Sequence, residues 1–328
     1  MNLLKENSKI YIAGSTGMVG SSICRLLLKK GFILNNNLLT PSRKDLDLRN
    51  NDQLHNWFSI NYPDIVIISA ARVGGILANK TYPVDFLLEN LKIQNNLIEK
   101  SYEFGVKKLL FLGSSCIYPK LSEQPIKEKY LLKGSLEDTN QWYAIAKIAG
   151  LKLCEAYKKQ YSFNTLSLMP TNLYGPNDNY DLNSSHVMAA LLRKFIEAKL
   201  SNKKNVTCWG TGKPLREFLY VDDFAEACLF ILSNWEKINN NLPKDENGNI
   251  LNWLNIGSDF EISINDLANK IGSIINYRGE INWDKTKPDG TPRKKLNTDT
   301  MNNLGWVAQT DLDKGIRKTI ESFKLNKN

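Results

Sequence analysis

Tyr143 and Lys147 stand four residues apart in Tyr143-Ala144-Ile145-Ala146-Lys147, the spacing that puts a phenol and an ammonium on one face of a helix. A cation beside a phenol favours the phenolate, so this pair can donate or accept a proton near neutrality. The plain alternative is an exposed pair on a surface helix. Upstream, Gly113-Ser114-Ser115-Cys116-Ile117-Tyr118-Pro119 closes an apolar run. A serine at the carboxyl end of a buried strand can hydrogen-bond a substrate oxygen, because open α/β sheets bind ligands at that edge. Cys116 follows two positions after Ser114, either as a small apolar residue or as a thiol that exchanges protons. His186 is one of only two histidines; it lies in Asn183-Ser184-Ser185-His186-Val187, where a polar loop gives way to a helix. His55, on an amphipathic surface helix, is the weaker candidate.

A second constellation lies near the N-terminus. Gly14-Ser15-Thr16-Gly17-Met18-Val19-Gly20 follows a strand pattern and opens a helix pattern. Glycines there permit a tight turn and close approach of a pyrophosphate, which the helix N-terminus favours electrostatically. Where an acidic residue would hold an NAD ribose, the chain reads Thr40-Pro41-Ser42-Arg43-Lys44-Asp45. Arg43 or Lys44 can instead take a 2′-phosphate, so NADP(H) is the expected cofactor; an exposed basic loop is the alternative. Asp47 and Leu48 are expected near the adenine.

These residues need a scaffold, and the hydrophobic pattern supplies one. Residues 9–13, 38–40, 64–70, 108–114 and 165–170 read as strands, and 18–30, 51–61, 83–104 and 140–161 as helices. The run Asp64-Ile65-Val66-Ile67-Ile68-Ser69-Ala70 is nearly all apolar, as in a strand buried on both faces. The βαβα rhythm predicts a doubly wound parallel α/β sheet. Residues 172–183 and 239–248 are rich in Asn, Asp, Gly or Pro and read as loops. Residues 220–232 read as a helix and 253–257 as a strand end. The expected division is 1–172 with about 216–257 as a Rossmann unit, and about 173–215 with 258–328 as a smaller, discontinuous substrate-binding lobe.

The 328 residues suffice for one large domain or two small ones. Apolar residues make up 42% and charged residues 23%, which argues against disorder. No apolar run is long enough to span a bilayer, and the polar N-terminus shows no secretory signal. The five cysteines are scattered without paired spacing, so neither a disulfide framework nor a metal site is expected, and a reducing cytoplasm fits best. The net charge of +9 is either a solvated surface or an attractor of anionic ligands such as diphosphates. No basic run is interleaved with aromatics, so nucleic acid is not an expected partner.

The stretch 111–175 resembles the GDP-L-fucose synthase family, extended short-chain dehydrogenases that act as GDP-4-keto-6-deoxy-D-mannose 3,5-epimerase/4-reductases. The glycine spacing of the first turn is the short-chain dehydrogenase form. The similarity rests on Leu112–Pro119, Tyr143–Gly150 and Met169–Pro176, on Arg72-Val73-Gly74-Gly75-Ile76, Trp209-Gly210-Thr211-Gly212 and Arg216-Glu217-Phe218, and on Lys287–Lys294. It covers almost the whole chain. The resemblance implies that Ser114, Tyr143 and Lys147 are the catalytic triad, and that Cys116 and His186 move protons at the sugar carbons. It implies GDP-sugar contacts from Asn172, Val187, Leu191, Trp209, Arg216 and Lys294, a phosphate-reading role for Arg43, and a homodimer. Two positions depart from the family. Thr16 stands where a basic residue is frequent. Lys194 stands where an arginine is common beside the diphosphate, and an ammonium lacks the planar bidentate fork of a guanidinium.

The expected activity is therefore NADPH-dependent 3,5-epimerisation and 4-reduction of GDP-4-keto-6-deoxy-D-mannose to GDP-L-fucose. The alternatives are a dedicated 4-reductase of a related GDP-4-keto-6-deoxy sugar such as a heptose, a 4-epimerase using Ser114, Tyr143 and Lys147 alone, and a non-catalytic nucleotide-sensing module.

Overall fold

The computed structural model describes residues 8–325; the polar N-terminal segment 1–7, read above for a secretory signal, lies outside the described residues. In chain order the first half runs β1 (Ile10–Ala13), α1 (Met18–Lys29), β2 (Leu38–Leu39), α2 (Asn51–Asn61), β3 (Ile65–Ile68), α3 (Ile76–Thr81), α4 (Pro83–Glu103), β4 (Lys108–Leu112), α5 (Gln141–Tyr161) and β5 (Thr165–Pro170). The second half runs β6 (Asn172–Tyr174), α6 (Val187–Leu200), β7 (Asn205–Trp209), β8 (Leu215–Tyr220), α7 (Val221–Ser233), α8 (Trp235–Asn239), β9 (Trp253–Ile256), β10 (Glu261–Ser263), α9 (Ile264–Ile275), β11 (Glu280–Asp284), β12 (Arg293–Lys294), α10 (Asp299–Leu304) and α11 (Leu312–Leu325).

Six strands form one parallel sheet in the order β2-β1-β3-β4-β5-β9. Every residue of β1, β3, β4 and β5 is buried. That is the two-faced burial their apolar runs predict, and each fully buried Leu or Ile in them is worth about 1.5–3 kcal/mol. One core layer joins Ile23 and Leu27 of α1 to Phe224, Cys228 and Ile231 of α7. The other joins Leu54 and Phe58 of α2, Leu97 and Ile98 of α4, and Leu151 and Cys154 of α5. Helices thus cover both faces, as the doubly wound reading requires. The order reverses beside β1, so the carboxyl ends of β1, β3, β4 and β5 open onto one crevice.

A third core lies among α6, α9 and α11, around Leu192, Phe195, Ile271 and Ile320. It underlies a small sheet in which β8 pairs with β6, β10 and β12, and a two-stranded pair β7–β11. One loop expectation is corrected here. Residues 172–174, read as the start of a polar loop, form β6 and pair in parallel with Phe218, Leu219 and Tyr220. Tyr174 is buried there, and a partner strand distant in sequence overrides the local turn composition. Among the described residues, no helix is long and apolar enough to cross a membrane.

Candidate active site

β1 runs straight into the glycine turn. Gly14 has φ +84° and lies against the backbone of Ala70, and a side-chain carbon at Gly20 would collide with the Gly14 carbonyl. Only glycine suits a positive φ packed so closely. Gly17 caps α1, whose first turn holds no acidic residue, so its N–H groups present an unopposed positive end. This cradle, with Ser15, Thr16, Met18 and Val19, fits a dinucleotide pyrophosphate. Arg43 is exposed beyond β2, in keeping with a ribose-phosphate contact. Asp47 is committed locally: Arg49 Nε and a terminal guanidinium nitrogen donate to its carboxylate at 2.9 and 2.7 Å. Those bonds hold its carboxyl down at about 2. The Leu48 carbonyl accepts from Asn96 at 3.0 Å.

At the end of β4 the chain makes a single 3-10 turn, Ser115–Ile117, capped by Ser114, whose Oγ accepts from Cys116 N at 3.2 Å. The Tyr143 phenol lies near this hydroxyl and near Cys116, both of which act on it. Tyr143 occupies the first turn of α5. One turn later, Lys147 donates from Nζ to the Leu112 carbonyl at 2.8 Å and sits 4.8 Å from the Phe111 ring centroid.

The expectation that Lys147 lowers the Tyr143 pKa is not met. Burial, then Cys116, pushes the phenol well above its ordinary range, and only the Ser114 hydroxyl opposes this. The Lys147 ammonium lies 5.9 Å from the Tyr143 ring centroid and is engaged by a backbone carbonyl. Desolvation therefore dominates, and Tyr143 is held as the protonated donor. The same burial lowers Lys147 to about 8.

The opposite wall comes from the small lobe. His186 caps α6. The loop before it is gathered by Asp181, whose Oδ1 accepts from Asn183 N, Ser184 N and Ser184 Oγ at 3.0 Å each. Gly75 N donates to Ser184 O at 2.8 Å, which docks this loop on the segment after β3. Solvent reaches His186 through the cleft, yet crowding by protein atoms, then the Lys294 ammonium, lowers its imidazole below the ordinary value. Lys294 Nζ lies 3.5 Å from Cys116 Sγ. Lys294 and Arg216 are register partners on β12 and β8, so both reach the same side. Burial lowers the Arg216 guanidinium, while Cys116, Asp289 and Glu137 oppose the shift.

Other expected contacts divide. Asn172 Nδ2 is bonded to the Glu217 carbonyl at 2.8 Å. Lys194 Nζ donates to Thr207 O at 2.8 Å and lies 5.4 Å from the Trp209 ring centroid; it braces the half-exposed indole. Val187 is half-buried. Leu191 is only 4% exposed and packs in the third core, so its side chain serves the fold there.

Sequence reasoning passed over three residues. Asp289 accepts from Thr211 N and Oγ1 at 2.7 and 2.8 Å, fixing the turn after Trp209. Lys287 reaches the Trp209 ring at 5.5 Å. Glu217 is a fully buried carboxylate; its signal was an acidic residue beside Arg216 in the strand Leu215–Tyr220, whose other four residues are apolar or aromatic.

Residues 10–244 match the model of the NAD dependent epimerase/dehydratase family. The chain is 48% identical over 321 residues to GDP-L-fucose synthase 1 of Arabidopsis thaliana, covering 98% of this chain and 94% of that one. It is 44% identical to GDP-L-fucose synthase of Escherichia coli K12, with 98% of each chain covered. A solved GDP-D-glycero-L-gluco-heptose synthase from Campylobacter jejuni, crystallised in the presence of NADPH, superposes with a TM-score of 0.88 at 34% identity, covering 98% of this chain and 99% of that one.

Proposed function

The chain belongs to the NAD dependent epimerase/dehydratase family, and from that premise we propose that it converts GDP-4-keto-6-deoxy-D-mannose to GDP-L-fucose. The observation that carries this reading is one cleft holding two sets of proton-handling groups. Ser114 and Tyr143 come together on one side; Cys116 lies beside them and meets Lys294, which also acts on His186.

The 4-ketone acidifies the protons on C3 and C5. Cys116, as thiolate, takes a proton from one face, and His186 returns one from the other. The Ser114 and Tyr143 hydroxyls stabilise the enolate oxygen as its charge develops. The glycine turn, with Lys147 at the ribose, would hold NADPH, which would supply the hydride for C4. Tyr143 then gives its phenolic proton to the carbonyl oxygen that both hydroxyls already hold. Both steps place negative charge on the same oxygen, so one pair of donors serves both. Arg216 and Lys294 provide the cationic wall for the diphosphate.

A dedicated 4-reductase of a GDP-heptose is the second reading, favoured by the likeness to the heptose synthase and by Lys194 at its backbone-bonded position. Incubation with GDP-4-keto-6-deoxy-D-mannose and NADPH, with the product's stereochemistry determined by NMR, separates them. GDP-L-fucose supports the first reading; a product reduced at C4 with C3 and C5 unchanged supports the second.

The proposal extends to organisation. The expected split into a Rossmann unit and a discontinuous lobe is supported in outline by the packing of α7 on α1 and by the separate core around α6 and α9. Its boundaries shift: β8, assigned to the Rossmann unit, centres the small sheet, and Met301, Leu304 and Trp306, assigned to the lobe, pack in the α1–α7 core. α4 and α5 pack together and leave Val84, Leu88, Trp142 and Ile145 exposed, a surface suited to the same helices of a second copy in a cytoplasmic homodimer. Sedimentation analysis of the wild-type protein tests this, with a monomer at micromolar concentration as the contrary result.

A further inference from the structure

Glu217 follows Arg216 on β8 and has no exposed surface. No Lys or Arg pairs with it among the described residues. Its carboxylate is instead filled by backbone donors: Oε1 accepts from Ser258 N and Asp259 N at 2.7 and 2.9 Å, and Oε2 from Leu296 N at 3.0 Å. Its own carbonyl accepts from Asn172 Nδ2 at 2.8 Å and Thr171 Oγ1 at 3.2 Å. A side-chain carbon at Gly257 would strike Oε1, so the approach of the β9 turn depends on glycine there.

A buried charge without a counter-ion is costly, and only a full set of donors makes it tolerable. Burial raises the Glu217 carboxyl and the backbone donors pull it back. What this arrangement fixes is specific. Thr171 and Asn172 follow β5, Ser258 and Asp259 follow β9, and Leu296 lies two residues beyond Lys294. One side chain and its carbonyl therefore pin together the segments that carry Asn172, Arg216 and Lys294. An apolar residue would fill the space but would leave three N–H groups without acceptors.

We propose that Glu217 is a positioning residue for the GDP-sugar site, holding the paired strands β8 and β12, which carry Arg216 and Lys294, against the ends of β5 and β9 in the large sheet. This rests on the reading of Arg216 and Lys294 as GDP-sugar contacts.

Glu217→Gln preserves volume but supplies one carbonyl oxygen. If that oxygen keeps the Ser258 and Asp259 bonds, the amide nitrogen faces Leu296 N–H, donor against donor. An unsatisfied buried donor shifts an equilibrium by roughly tenfold or more. The expected result is a GDP dissociation constant, and a KM for the sugar nucleotide, raised about tenfold, with NADPH affinity unchanged. A fall in melting temperature with both affinities unchanged, or an equal loss for GDP and NADPH, overturns the proposal. Lys294→Met is measured alongside. If it leaves GDP affinity unchanged, the placement of the GDP-sugar fails and the inference falls with it; if it weakens GDP while Glu217→Gln does not, the inference alone falls. A measurement on the wild-type protein covers the case of a variant that does not fold. Adding GDP should slow amide hydrogen exchange at Ser258 and Asp259 together with residues 294–296. Protection confined to 294–296 contradicts the coupling.

Discussion

The Lys294 ammonium lies 3.5 Å from the Cys116 sulfur, joining a strand of the small lobe to the turn after β4. Sulfur bears negative charge whenever Cys116 acts as a base, and a cation at this distance stabilises that charge. Hydrogen bonds to charged groups contribute about 1.5–3 kcal/mol, or roughly 10–100-fold. Lys294→Met should therefore slow proton exchange at C3 and C5 by that factor beyond any slowing of ketone reduction at saturating substrate. Parallel assays of deuterium uptake and NADPH oxidation measure the ratio. Equal slowing of both would reduce Lys294 to a binding contact.

Lys147 gives a pH signature. Burial lowers its ammonium to about 8, so the cation is fully present below that pH and lost as pH rises through it. If Lys147 holds the cofactor ribose, the reductive step should decline on the alkaline side of about pH 8 as that contact loses its charge. Lys147→Arg stays charged across this range, so its rate–pH profile should lack that limb even if its plateau is lower. The same alkaline limb in both proteins would assign it to another group.

The sheet and the pairing of Tyr143 with Lys147 on one helix were legible in the sequence because each leaves a local mark. β3 and β4 are short apolar runs buried on two faces, and Tyr143 and Lys147 declare themselves by helical spacing. What escaped depends on partners distant in the chain. β6 is a strand because β8 lies beside it. The lowering of the Tyr143 pKa expected from spacing failed because helical periodicity gives proximity but not the orientation of Lys147 towards Leu112. Glu217 showed as an anomaly of composition, and its role is visible only once Ser258, Asp259 and Leu296 converge on it.

Cofactor choice turns on Arg43. It is exposed, and Asp47, the carboxylate its charge reaches, is bonded to Arg49 instead. Arg43→Ala should weaken NADPH more than NADH, by roughly 10–100-fold, the scale of a charge-assisted phosphate contact. Fluorescence titration with each reduced cofactor measures the two affinities. An equal loss for both would show that Arg43 does not read the 2′-phosphate.

The central claim is that one cleft performs both carbon-acid exchange and hydride reduction. Its most direct test is incubation of the protein with GDP-4-keto-6-deoxy-D-mannose in D₂O without reduced cofactor, with deuterium located by NMR. The account predicts label at C3 and C5 with the wild-type protein and none with Cys116→Ser, whose hydroxyl is a far weaker acid than a thiol. It also predicts that Cys116→Ser still reduces a ketone that already has the product configuration. Reduction of a 4-keto sugar by the wild-type protein, with no deuterium at either carbon, would contradict it.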